Sequence, residues 1–207
     1  MLAVAAAIVF ATELSAHRRD EYLQAARVAI DVAAVQLELD ITPGIALAET
    51  IIADIDRNGD GALSVDEQRA YGDAVVNALT LRVDGTPLRA QLGTTSFPDL
   101  DAVRRGEGTI RLQSTAALPR LSAGAHQLLF RNRHHPDSSV YLANALVPAS
   151  RDVAVTGQRR DGDQTELTID YVLRAAPATP VAAWLLGSFA AAAMLWLAVV
   201  RRSRSAG

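Results

Sequence analysis

The sequence predicts a mainly β fold with an α insertion: a sandwich-like β domain carrying one helix–loop–helix, followed by a carboxyl-terminal transmembrane helix. Three observations predict it. Short runs of alternating apolar and polar residues recur along most of the chain, with the period of half-buried strands. Between about residues 43 and 79 that period gives way to the spacing of amphipathic helices. Residues 181–200 form an apolar run without a single charge.

Taken in order, the chain opens on the apolar run Leu2 to Ala11. It leads through Thr12-Glu13-Leu14-Ser15-Ala16 into the polar stretch His17-Arg18-Arg19-Asp20. Such a run is too short to span a bilayer, which needs about twenty apolar residues. Residues 1–16 therefore read as a signal peptide, with Ala16 the last residue removed. Residues 17–174 form the exported domain. Strands are predicted near Tyr22–Ile30, Ala34–Ile41, Leu79–Val83, Leu88–Leu92 and Thr109–Leu118. Others are predicted near His126–Asn132, Ser139–Asn144, Arg151–Thr156 and Glu166–Arg174. Asp84-Gly85, flanked by Leu81-Arg82-Val83 and Leu88-Arg89-Ala90, is a hairpin signal, because Asp-Gly suits a turn with positive φ. Many short strands at regular spacing suggest a sandwich.

The interruption carries the chemistry. Asp56, Asn58, Asp60, Gly61, Ala62, Ser64 and Glu67 fill positions 1, 3, 5, 6, 7, 9 and 12 of the EF-hand calcium loop. The side chains of Asp56, Asn58 and Asp60 supply oxygens on alternate residues. Gly61 stands at the sharp turn, where a side chain is a steric burden. Ala62 offers its carbonyl, Ser64 a hydroxyl or a bridging water, and Glu67 two carboxylate oxygens. Calcium takes six to eight oxygen ligands, and this set supplies them. Ile45, Ala48, Ile51, Ile52 and Ile55 precede the loop at helical spacing. Gln68, Tyr71, Val75, Val76 and Leu79 continue the pattern after it. The chain holds no second loop of this kind. EF-hands usually pair, so these helices are expected to bury their apolar faces against the sheet.

Residues 175–180, with Pro177 and Pro180, read as a stiff linker. Residues 181–200 are long enough to span the ~30 Å hydrocarbon layer as a helix. Trp184 and Trp196 sit near the ends of that span, and Arg201, Arg202 and Arg204 follow it. By the positive-inside rule, the tail 201–207 lies in the cytoplasm and the body outside. The expected location is the bacterial cytoplasmic membrane, single-pass, with the body on the periplasmic side.

Composition narrows the chemistry further. The net charge of −3 and the lack of a basic patch with aromatics exclude a nucleic-acid partner. Without cysteine there is no disulfide, thiolate nucleophile or thiolate zinc site. No Gly-x-Ser-x-Gly, His-Glu-x-x-His or phosphate loop occurs, and the expectation is a non-enzyme with no catalytic residue. Asp152, Asp161, Asp163 and Asp170 read as turns and solvated strand faces. Of the four histidines, His126 reads as structural. His17 would become the amino terminus after cleavage, where α-amine and imidazole together chelate copper or nickel. His134 and His135 read as adjacent imidazoles that would point apart on a strand, a pair that more often decorates a loop than binds metal.

The body resembles a family of exported, membrane-anchored bacterial EF-hand domain-containing proteins. The residues that carry the likeness are His17–Ala25, Ile41-Thr42-Pro43-Gly44 and the loop 56–67. Ala125–Asn132 and Val140–Pro148 add to it. The resemblance implies an envelope partner and a loose association with permeases of the nickel and urease-accessory kind. The expected function is a membrane-tethered extracytoplasmic calcium-binding module that serves structure or interaction. The alternatives are a transition-metal-handling accessory of a nickel/cobalt-type permease, using His17, His134 and His135, and a hydrolase with structural calcium.

Overall fold

The computed structural model describes residues 21–174. The signal segment 1–16, His17, the linker 175–180, the span 181–200 and the tail 201–207 lie outside the described residues. Strand makes up 48% and helix 19%, which places the fold in the mainly β class.

Ten strands form two five-stranded sheets. They are β1 Tyr22–Ile30, β2 Ala34–Pro43, β3 Leu79–Val83, β4 Thr86–Leu88 and β5 Ala90–Ser96. The others are β6 Ile110–Ala117, β7 Gly124–Asn132, β8 Ser139–Ala145, β9 Val153–Arg160 and β10 Glu166–Leu173. One sheet has the order β5-β6-β2-β1-β8 and the other β4-β3-β7-β10-β9. β1 and β8 pair in parallel; the other pairings are antiparallel.

The alternation read from the sequence becomes one-sided burial. In β1, Tyr22, Gln24, Ala26, Val28 and Ile30 face inward; in β6, Ile110, Leu112, Ser114 and Ala116 do. Val28, Leu37 and Leu39 from one sheet join Leu128, Phe130 and Ile169 from the other in a single buried cluster. Each such aliphatic or aromatic side chain contributes about 1.5–3 kcal/mol through burial. The Asp84-Gly85 turn joins β3 to β4 with φ of 48° and 80° at its two residues. That is the positive-φ hairpin its sequence calls for.

Two helices occupy the interruption: α1 Ala48–Ile55 and α2 Val65–Asn77. Ile51, Ile55, Tyr71 and Val75 join the main core. Ala48 and Ile52 pack instead on Leu100 and Val103 of a third helix, α3 Leu100–Arg104. A Cβ at Gly72 would stand 2.8 Å from a Leu92 methyl, so glycine permits the close approach of α2 to β5. The helical pair is thus covered by β5 and α3.

The details correct several expected boundaries. Ile45 lies in a short 3-10 turn and is half exposed, since α1 begins only at Ala48. Leu79 opens β3, as the strand expected at Leu79–Val83 has it, and the helical pattern extended to Leu79 stops at Asn77. The strand expected at Leu88–Leu92 is two, β4 and β5, broken at Arg89. The one expected at Arg151–Thr156 begins at Val153 and runs on to Arg160.

Candidate functional site

The loop between α1 and α2 is closed by its own amides. The Asp56 carboxylate accepts the N–H groups of Gly59 (2.8 Å), Asp60 (3.2 Å) and Gly61 (2.9 Å). Asp60 accepts the Ala62 N–H at 2.8 Å and an Asn58 amide hydrogen at 3.0 Å. The Asn58 side-chain oxygen accepts the Asp60 N–H at 2.9 Å. Gly59 and Gly61 take φ of 69° and 79°, a conformation that costs a residue with a Cβ about 1–2 kcal/mol. The two glycines let successive N–H groups turn inward onto Asp56.

Glu67 ties the far end of the loop to its start. One carboxylate oxygen accepts the N–H groups of Arg57 (3.1 Å) and Asn58 (3.3 Å). The other accepts the Ser64 N–H (3.0 Å) and hydroxyl (2.6 Å). The Glu67 N–H in turn donates to the Ser64 oxygen, which completes a capping box at the start of α2. These bonds, that from the Ser64 hydroxyl foremost, lower the Glu67 pKa. Asp66 and Glu67 also place negative charge at the positive end of α2.

Leu63 anchors the loop by packing against both buried clusters. Its carbonyl accepts a hydrogen from the Gln68 amide at 3.0 Å. A cleft of about 670 Å³ opens beside the loop, lined in part by Gly61, Leu63, Gln68, Asp99 and Asp101.

The structure therefore brings Asp56, Asn58, Asp60, Ala62, Ser64 and Glu67 together in one closed turn. Their donor chemistry fits a hard cation: three carboxylates, an amide oxygen, a hydroxyl and a peptide carbonyl. Among the described residues, no three His, Asp or Glu side chains form a metal-holding group. Asp56 and Glu67 point their oxygens at loop amides and at Ser64.

The histidines fall into different roles. His126 lies on β7, with Nδ1 2.7 Å from Asp84 and Nε2 2.8 Å from the Ser122 carbonyl. The Asp84 bond, then the Ser122 carbonyl, raise its pKa. His134 and His135 lie in the turn between β7 and β8, not on a strand. Their rings do not point apart: the centroids are 4.4 Å apart, edge to face. His134 is buried, and its Nε2 lies 3.2 Å from the Tyr71 hydroxyl, which also hydrogen-bonds the Tyr22 hydroxyl. Burial, reinforced by neighbouring His135, pushes the His134 pKa down to about 4. His135 has a φ of 50° and its Nε2 lies 3.2 Å from Asp54.

Sequence spacing could not reveal this group. Tyr22, Tyr71 and His134 come from three elements, and Tyr22 and Tyr71 register along the chain only as apolar positions of a strand and a helix. The single available signal was the His-His pair itself.

Asp161 and Asp170 fit the expected turn and strand roles. The first accepts the Glu166 N–H and the Thr165 hydroxyl; the second pairs with Arg159. No described helix is long and apolar enough to cross a membrane. No protein-family model, curated protein or solved structure matches the chain.

Proposed function

We propose that the protein is a calcium-binding module tethered to the cytoplasmic membrane, with its body on the periplasmic side and its sandwich-like domain offered to another envelope protein. One observation carries this reading: a twelve-residue loop with the full EF-hand donor pattern, closed between two helices that are docked on the β domain. Asp56, Asn58, Asp60, Ala62, Ser64 and Glu67 would hold the ion, and calcium would neutralise the charge that Asp56, Asp60, Asp66 and Glu67 crowd into one turn.

The loop is unpaired, which favours a constitutive staple over a cooperative switch. Extracellular EF-like sites bind with dissociation constants near 10⁻⁴–10⁻³ M, and outside the cell such sites fill. The tether is the apolar span 181–200, and Arg201, Arg202 and Arg204 set its orientation.

Calorimetric titration tests the binding. The full-length chain in detergent micelles is titrated with calcium, beside the Glu67→Gln variant. The expected result is a 1:1 isotherm for the parent, weakened at least tenfold in the variant. Equal isotherms would remove the loop from the account.

A further inference from the structure

The two ends of the sandwich differ in what they carry. β7 runs from one end to the other. Its Asn132 pairs with Leu79, where the chain leaves the calcium hairpin, and its Gly124 pairs with Leu173, the last residue of β10. The hairpin end gathers Asp54, Asp56, Asp60, Asp66 and Glu67. The opposite end holds the loop between β8 and β9, residues 146–152, and the end of the β domain at Arg174. The Arg174 N–H donates to the Asp152 carbonyl at 2.8 Å, so the loop and the end of the domain lie side by side.

That loop shows water an apolar tip between two cations. Val147 is 92% exposed, more than any other large hydrophobic side chain among the described residues. A cleft of about 540 Å³ opens beside it, walled by Leu146, Pro148 and Val155 and lined also by Arg151 and Arg174. Among the described residues neither of these guanidiniums has an ion pair, whereas Arg27, Arg104, Arg105 and Arg131 all do. Asp152 is the one acid of the loop, so loop and Arg174 together are net positive. A lone exposed valine is ordinary on a protein surface. An apolar tip flanked by unpaired arginines, beside an apolar cleft, matches the layered chemistry of a bilayer surface.

The length of chain that follows says which partner this end meets. Six residues, 175–180, separate Arg174 from the apolar run 181–200. Fully extended they reach about 20 Å. The polar layer over the hydrocarbon takes up about 5–8 Å of that reach.

We propose that the β8–β9 loop rests on the phospholipid surface, with Val147 entering the interface and Arg151 and Arg174 meeting lipid phosphates. This rests on the reading of residues 181–200 as a membrane span. Guanidinium suits phosphate because its fork of N–H groups matches two oxygens at once. The insertion of one valine is weak by itself, but a tethered loop meets the surface at high effective concentration. The acidic hairpin end is repelled by anionic lipid, which leaves the calcium loop turned toward the periplasm and its partner.

The chain has no cysteine, so single cysteines report position cleanly. Full-length Val147→Cys and Val65→Cys, each labelled with the fluorophore NBD, are reconstituted in vesicles of equal parts phosphatidylcholine and phosphatidylglycerol. Val65 is 80% exposed at the hairpin end, so neither substitution touches the core. A nitroxide on the lipid headgroup is the quencher. It should quench the probe at 147 several-fold more than the probe at 65. Arg151→Glu together with Arg174→Glu should cut quenching at 147 by about twofold or more. Vesicle flotation separates the two readings. Protein that floats with the vesicles but is quenched equally at both sites keeps its tether and overturns the docking. So does quenching at 147 that ignores the charge reversals. Protein that does not float overturns the span, and the docking with it.

Discussion

The Tyr71 hydroxyl lies 3.2 Å from Nε2 of His134, across 63 residues of sequence. Tyr71 sits in the second turn of α2, the helix whose cap is Ser64 and Glu67. His134 sits in the turn between β7 and β8. This bond fastens the helix that closes the loop to the connection between the two sheets. For Tyr71 to donate to it, Nε2 must be unprotonated, in keeping with the lowered pKa of His134.

Acid should loosen the fold through that histidine. Its pKa is about 4 in the folded chain against 6.5 ordinarily. Between those values the unfolded chain binds a proton that the folded chain refuses. Stability is therefore full above about pH 6.5 and declines as pH falls toward 4, by on the order of 3 kcal/mol. His126 runs the other way. Its raised pKa adds stability below its ordinary value that is lost as pH climbs through the folded value. Urea midpoints measured from pH 8 to pH 4 check the first effect. His134→Gln should flatten the slope across that window, and an unchanged slope would contradict the assignment.

Packing predicts a contrast between two isoleucines six residues apart. Ile51 is 1% exposed in the main core and Ile45 is 48% exposed. Ile51→Ala should cost about 2–5 kcal/mol, the range for deleting a buried aliphatic side chain. Ile45→Ala should cost no more than about 1 kcal/mol. Denaturant unfolding of both variants measures the difference. Similar losses would mean that the helical pair is not docked as described.

Glycine at loop position 6 should matter for stability more than glycine at an open position. Gly61→Ala forces a Cβ into φ of 79°, although no atom lies within 4 Å of it. The closed loop already holds this φ, so the conformational cost, about 1–2 kcal/mol, falls on the fold. Gly162→Ala, at an open position with no positive φ, should cost nothing. Denaturant unfolding of the two variants makes the comparison.

Orientation in the membrane is read from sequence alone and has its own test. A periplasm-active phosphatase fused after Arg174 should be active, and one fused after Gly207 should be silent. Activity from the second fusion alone would reverse the topology.

Much of the fold was written in local patterns. The strands Tyr22–Ile30 and Ser139–Ala145 alternate cleanly enough to read, and Asp84-Gly85 announces its turn. The loop 56–67 is legible as a tight turn between two helices because its whole donor pattern sits within twelve residues. What stayed hidden is non-local or short. Helix α3, Leu100–Arg104, has five residues, too few for a period to show. It nevertheless covers Ala48 and Ile52. The split at Arg89 turns on how strands pair. The Tyr22–Tyr71–His134 cluster exists only once three distant segments are brought together.

Calcium-dependent melting of the full-length protein and of Glu67→Gln tests the central claim most directly. At about ten times the dissociation constant, calcium should stabilise the fold by roughly 1.4 kcal/mol. For a chain of this size that raises the melting temperature by roughly 3–6 °C. Magnesium, which demands a smaller octahedral shell, should do less. Glu67→Gln keeps the shape but loses the charged bidentate ligand, so its calcium shift should largely vanish while its fold persists. A rise in the parent that disappears in the variant is the predicted result. Equal responses of parent and variant, or none in either, would contradict the account.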